Sequence, residues 1–439
     1  MDRRRAKVWH LSRNNPATGP SPLCHLEKQS RLAYHTAPDR PGPRRRVGAV
    51  TDTSPDATPL PSPSPVTVRA ITEAEHVEVL RRHPGASFLQ NPAWQRVKTD
   101  WSGQSLGFEQ DGRLVGAALV LGRRLPVPGR TPFLGRAFLA YVAEGPVLDE
   151  GVDVVAALTV LVAELHAQGA FLVRVAPPGV VRRWDADTVR KSLTDPQHRM
   201  LTDLPAAEED PAAVELEERL REAGWIAPEI LPGFSAGQPM FQARIPLEGL
   251  DEESVLARMS GSSRKRTRRS MRNDLDVVTA GPERLDEWDD LQHETATRDR
   301  FTGRPKEYFE RVLAELGGSE LADVTYYLAE FEGDPVAAAF HFRQGHVCWR
   351  PYSASSQKER KRDAPRLLEF EQIRAGLADG CHWLDLGGVP GSVDGEDRIT
   401  GLTEFKTTQG ADIVQTHGEW DFPLHKVLTH AFTLYMSRR

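Results

Sequence analysis

Two stretches of this chain carry the same order of elements, and that repeat limits its possible folds more than any single motif does. In the first, Val66–Ile71 alternates as a strand, and Thr72 with Glu75 forms a capping box for a helix reaching His83. Asn91 caps a second helix, Pro92–Asp100. Strands Gln104–Gln110 and Leu114–Leu121 follow around an Asp111-Gly112 turn, then Phe138–Val142. The helix Val152–Gln168, with Asp149 as its N-terminal cap, and the buried strand Ala170–Ala176 close the unit. In the second stretch, strands Asp323–Glu332, Val336–Gln344 and Val347–Ser353 precede the helix Ala364–Leu377 and the strand Trp383–Val389. Meander, helix, strand, written twice in 439 residues, predicts an α/β (α+β) fold with two packed cores on one plan.

The expected organisation is a disordered tail over residues 1–65, a first unit over 66–234, a second over 235–418, and a segment 419–439 that packs back on the first. The tail holds 11 of the 33 prolines and ends in the stiff Leu60–Pro65. Pro177–Asp210 is polar and reads as an irregular surface connection.

Charge and cysteine content narrow the function classes. Lys plus Arg is 56 against 62 for Asp plus Glu, a net charge of −6, so overall charge excludes a general nucleic-acid binder. Any RNA contact must be a local patch. Cys24, Cys348 and Cys381 stand at no metal-ligand spacing and read as free thiols of a reducing compartment. No apolar run approaches the roughly 20 residues of a membrane span, and Arg3–Arg5 lacks an apolar segment after it. The expectation is a cytoplasmic monomer with no transmembrane segment, no metal and no cofactor.

No Ser-His-Asp or Cys-His ordering and no HExxH is present. The loop before the second unit's helix, Glu359–Asp363, is charged and lacks the R-x-x-G-x-G/A needed for backbone N–H groups to approach a pyrophosphate. Coenzyme A is therefore disfavoured. The densest charge run is Arg264, Lys265, Arg266, Arg268, Arg269 and Arg272, six cations in nine residues; on a helix they spread all round it. Between Trp383 and Leu424 the order is strand, Gly387-Gly388, an acidic loop, Gly401-Leu-Thr-Glu-Phe405-Lys406, Gly410, a strand over Ala411–Gln415, then Gly418-Glu-Trp-Asp421.

That ordered set resembles the signature of the Fem family of aminoacyltransferases, which move an amino acid from a charged tRNA to an amine of a peptidoglycan precursor. The likeness extends over about Phe88–Leu424. Asn91-Pro-Ala-Trp-x-x-Val-Lys98 resembles the family's early helix, Gly145-Pro-Val-Leu-Asp149 its next landmark, and Glu294–Phe309 a later one. The segment from Gln238-Pro239 to Leu247 resembles a family strand, with Gln242 where threonine is usual. A frequent family carboxylate, a candidate base, is replaced here by Ala176.

The resemblance implies two GNAT-like acyltransferase units in tandem. It assigns Lys406 the catalytic role and, with Phe405, the binding of the tRNA end. It assigns Lys98, Ser262, Arg264, Arg268 and Tyr308 to the acceptor. Taken alone, Lys98 and Lys406 read as exposed helix lysines, Tyr308 equally as a packing tyrosine, and Lys265 and Arg269 as solvated cations. The implied partners are aminoacyl-tRNA and a UDP-MurNAc-peptide or lipid II, the latter bringing peripheral membrane contact. The same chemistry in antibiotic or peptide natural-product assembly stays open. So do a GNAT acyltransferase with another acyl donor and a non-enzymatic basic RNA-binding module.

Overall fold

The computed structural model describes residues 65–125, 137–234 and 237–436. The expected disordered tail lies outside them, save for its last residue.

The first unit opens with β1 (Thr67–Ala70) and α1 (Glu73–Arg82), and the capping box forms as expected, the Thr72 side chain accepting from Glu75 N. The helix expected over Pro92–Asp100 is only one turn, α2 (Trp94–Val97), because Lys98 leaves helical geometry with ψ at 63°. Strands β2 (Ser102–Gln110) and β3 (Arg113–Arg124) join through Asp111 and Gly112, whose φ values of 52° and 72° give the twist that a tight hairpin requires. Then come β4 (Phe138–Val142), β5 (Val147–Leu148), α3 (Val154–Ala167) and β6 (Ala170–Val175). Asp153, and not Asp149, caps α3 by accepting from Ala156 N. Asp149 instead binds His83 Nε2 at 2.8 Å, because the chain at Asp149 is still paired to β3 through Val115.

The stretch expected as a surface connection contains β7 (Val180–Trp184), α4 (Ala186–Ser192) and β8 (Glu208–Glu209). Adjacent arginines hid the strand in the sequence. Arg182 and Arg183 pair with Glu209 and Glu208 on β8, while Val181 and Trp184 are buried. Helix α5 (Pro211–Glu222) leads to β9 (Phe241–Pro246), α6 (Glu252–Arg258), α7 (Gly261–Ser270), β10 (Asp276–Ala280), α8 (Leu285–Asp299) and α9 (Lys306–Arg311). The meander is β11 (Ala322–Phe331), β12 (Asp334–Gln344) and β13 (Val347–Ser355), followed by α10 (Ala364–Ala378) and β14 (Trp383–Gly388). Last are α11 (Gly401–Thr408), β15 (Asp412–Thr416), β16 (Trp420–Pro423) and α12 (Lys426–Met436).

Two sheets result, with orders β1-β2-β3-β4-β6-β16 (β5 beside β3) and β10-β11-β12-β13-β14-β9-β15-β7-β8. The repeat is visible in the pairing. In each sheet an antiparallel meander ends in a parallel pair, β4/β6 across α3 and β13/β14 across α10. The sheets exchange strands, since β7 and β8 join the second and β16 joins the first. One core also spans both: Phe88 meets Trp94, Phe342 and Trp349 edge-on with centroids 5.0–5.1 Å apart. Among the described residues, no helix is long and apolar enough to cross a membrane.

Candidate active site

A cleft of about 280 Å³ is lined from both sheets, by Trp94, Lys98 and Glu144 on one side and by Tyr352, Asp385 and Gly388 on the other. Strand alternation places the polar groups there. On β9, Phe241, Ala243 and Ile245 enter the core, which leaves Gln242 and Arg244 on the opposite face. On β14, Leu384 and Leu386 are core, which leaves Asp385 on the cleft side.

The cleft carries two charged neighbourhoods. In one, Lys98 Nζ stands 5.2 Å from the Trp94 ring centroid and 5.9 Å from that of Tyr308, with the Arg304 guanidinium 4.5 Å from the Tyr308 ring. Burial, then repulsion from Arg304, pulls the Lys98 pKa down to about 7. Tyr308 itself does not line the cleft. It is 4 % exposed, and its hydroxyl meets that of Tyr352 at 2.7 Å, so it backs the wall that Tyr352 presents.

The other neighbourhood is acidic. Glu144 accepts from Gln242 Nε2 at 3.3 Å; Gln242 Oε1 accepts from Arg244 at 2.7 Å; Arg244 Nε donates to Asp385 at 3.3 Å. Asp385 also accepts from Gly387 N at 2.6 Å. Burial pushes the Glu144 pKa up against a hydrogen bond with Ser87, and Asp385 adds to the rise. The polar face continues into a groove of about 780 Å³ along β9, β15 and β7, where Arg183 and Arg258 both bind Asp412.

Lys406 lies behind the acidic neighbourhood and does not line the cleft. It is buried, unlike the exposed lysine its sequence position suggests, and its ammonium donates to Gly387 O at 3.0 Å and Gly388 O at 2.8 Å. Two of its three donors are thus used. Burial pulls its pKa down to about 7, with Asp385 opposing. The glycines are needed here: Gly387 has φ 81°, and a Cβ on Gly388 would stand 2.5 Å from Pro239 Cβ. Phe405, one residue earlier, is among the exposed large apolar side chains and faces the Arg366 guanidinium at 5.5 Å.

Ser262, Arg264 and Arg268 are not brought to this cleft, since no residue of α7 lines it. Helix α7 buries Ser263, Thr267 and Ser270 and turns its cations outward. It packs beside α11, with Ser260 N donating to Thr408 O and Arg366 donating to both Ser263 Oγ and Gln409 Oε1. Arg266 and Arg269 pair with Asp363, and Arg268 with Glu253 at 2.5 Å. Arg264, Lys265 and Arg272 make no ion pair among the described residues. The Asp363 carboxylate sits at the α10 N-terminus with φ 58°.

Glu144, Asp385 and Arg304 were missed as site residues by sequence reading. A signal existed for Asp385, a carboxylate inside the apolar run Trp-Leu-Asp-Leu. Glu144 immediately precedes the Gly145-Pro146 landmark, but nothing in its spacing separates it from a loop acid. Among the described residues, no group of three or more His, Cys, Asp or Glu could hold a metal ion.

Comparison with known proteins agrees with this architecture. The chain superposes on a crystal structure of FemX with a TM-score of 0.67 at 18% identity, covering 83% of this chain and 99% of that one. Overlap is smaller with a tandem GNAT protein from the clavulanic acid biosynthesis pathway (TM-score 0.44, 13% identity, 82% and 98% covered). It is similar for L-PGS from Bacillus licheniformis (0.45, 13%, 84% and 96%). A search of curated proteins gave no match. The FemAB family model matches residues 71–326 and 318–436, which together take in the cleft and, save for β1, both sheets. With its tandem GNAT-like units, the chain belongs to the FemAB family.

Proposed function

We propose that this protein transfers an amino acid from aminoacyl-tRNA to an amine of a peptidoglycan precursor, either a UDP-MurNAc-peptide or lipid II, forming a peptide bond. FemAB membership supports a transferase of this class. The observation that carries the reading is the polarity of the cleft. Lys98 and Arg304 suit a phosphate, Glu144 suits an ammonium, and the Lys406 ammonium lies behind the strand end beside the acidic neighbourhood. A precursor bearing phosphates and a free amine has that polarity. An activated ester needs no covalent nucleophile if the amine is aligned and charge on the carbonyl oxygen is stabilised. Phe405, exposed one residue from Lys406, offers a face to the terminal base. The buried Asp363 carboxylate, held by Arg266 and Arg269 at the α10 N-terminus, supports a donor other than coenzyme A.

The test offers purified protein a full set of charged tRNAs with nucleotide-linked and lipid-linked precursors and follows new peptide bonds by mass. Product should disappear after ribonuclease treatment. Ribonuclease-resistant product made from an acyl-CoA would sink the reading.

A further inference from the structure

We propose that Glu144 receives the acceptor's ammonium in the cleft and takes its proton before the amine attacks. This rests on the aminoacyl-transfer reading above. Two acids line the cleft, and their surroundings differ. Asp385 is committed, with Arg244 at 3.3 Å on one side and Gly387 N at 2.6 Å on the other. Glu144 pairs with no cation among the described residues. Its contact on the cleft floor is the neutral Gln242 amide at 3.3 Å, and Arg244 spends its own donors on Gln242 and Asp385. A carboxylate that feels Arg244 only at a distance, with no ion pair of its own among the described residues, gains from a second cation in the cleft, so the cleft is suited to accept one here.

The backbone agrees. Glu144 is one of six non-glycine residues at positive φ among those described, at 48°, a conformation that a residue with a Cβ adopts at some energetic expense. At this position the side chain lines the cleft and reaches Gln242. The carboxylate also shares this part of the cleft with Asp385, Gly387 and Gly388, the strand end against which Lys406 is held. An amine delivered to Glu144 therefore stands beside the strand end that Lys406 holds from behind. Burial, which pushes the Glu144 pKa up, brings it nearer the pH at which a general base works.

One proton passes from the ammonium to a Glu144 carboxylate oxygen, leaving a neutral amine. Its lone pair attacks the ester carbonyl carbon, a C–N bond forms, and the C–O bond to the ribose breaks. The nitrogen's surplus proton goes to the departing ribose oxygen, and Glu144 later returns its proton to water.

The experiment measures single-turnover transfer from saturating charged tRNA as a function of pH for wild type, Glu144→Gln and Glu144→Asp, with thermal melts of each. Glu144→Gln should fold and transfer about a hundredfold more slowly. Its acid limb should move up toward the ionisation of the free amine, while Glu144→Asp recovers part of the rate. A merely structural role would lower the melting temperature and leave the limb in place. Wild-type rate and limb in a folded Glu144→Gln overturn this inference alone. Absence of transfer by wild type with every charged tRNA overturns the aminoacyl-transfer reading and this inference together.

Discussion

Lys406 Nζ is held 2.8 Å from the carbonyl oxygen of Gly388, the residue that ends β14 and lines the cleft. The ammonium fixes a strand end that glycine alone would leave soft, and it does so at the expense of its own hydration. A pH signature follows. The folded pKa of Lys406 is about 7, below its ordinary 10.5, so between those values the unfolded chain binds the extra proton. Stability therefore rises with pH across that window. Lys406→Met should remove one proton from the linkage, up to about 1.4 kcal/mol per pH unit. Denaturant melts from pH 7 to 10 check it; an unchanged slope in the variant means that Lys406 is not charge-stressed.

Lys98 should govern acceptor affinity. Its pKa of about 7 means that the free protein loses this cation as pH rises through neutrality, and a bound phosphate would hold the proton on. Acceptor binding should weaken above pH 7 in wild type and be flat with pH in Lys98→Met. A lost charge-assisted contact is worth roughly 1.5–3 kcal/mol, so the Kd near pH 6.5 should rise by about tenfold or more. Direct calorimetry with the acceptor decides, and equal loss at all pH values would place Lys98 outside the phosphate site.

The repeat, the capping box at Thr72, the Asp111-Gly112 hairpin and the Gly387-Gly388 strand end were all legible because each is a local pattern with a local cause. The strand β7 was not legible, because Arg182 and Arg183 satisfy themselves with acids on β8, which the chain reaches only later. Lys98 and Lys406 could be nominated from resemblance, yet their burial depends on partners from other elements: Tyr308 for one, the β14 carbonyls for the other. The placement of Glu144 beside Gln242 is a contact across 98 residues, invisible to any window of sequence.

The shared core should make the two sheets unfold as one unit. Phe88 is 7% exposed and packs on Trp94 from the first unit and on Phe342 and Trp349 from the second. Phe88→Ala should destabilise by about 3–5 kcal/mol, and calorimetry should still give one transition. Two separated transitions, one unaffected, would show that the units fold independently.

Outward-facing cations on α7 and just past its end should meet RNA. Lys265 and Arg272 are exposed and make no ion pair among the described residues, so each is free to displace a counterion from a phosphate. Removing either should flatten the slope of log binding constant against log salt for charged tRNA by about 0.7–0.9. Acceptor affinity should stay unchanged. Filter binding between 50 and 200 mM salt measures this, and parallel lines for variant and wild type would rule out the contact.

The central claim is that the Lys406 ammonium, held behind the cleft on the Gly387 and Gly388 carbonyls, stabilises the charge that develops as the ester is attacked. The direct measurement is single-turnover transfer by Lys406→Met from saturating charged tRNA, in protein whose acceptor affinity has been verified by calorimetry. The account predicts a folded enzyme with acceptor affinity intact and a transfer rate lower by about a hundredfold or more. Transfer at near the wild-type rate would contradict it and leave Lys406 as a structural clamp on Gly387 and Gly388.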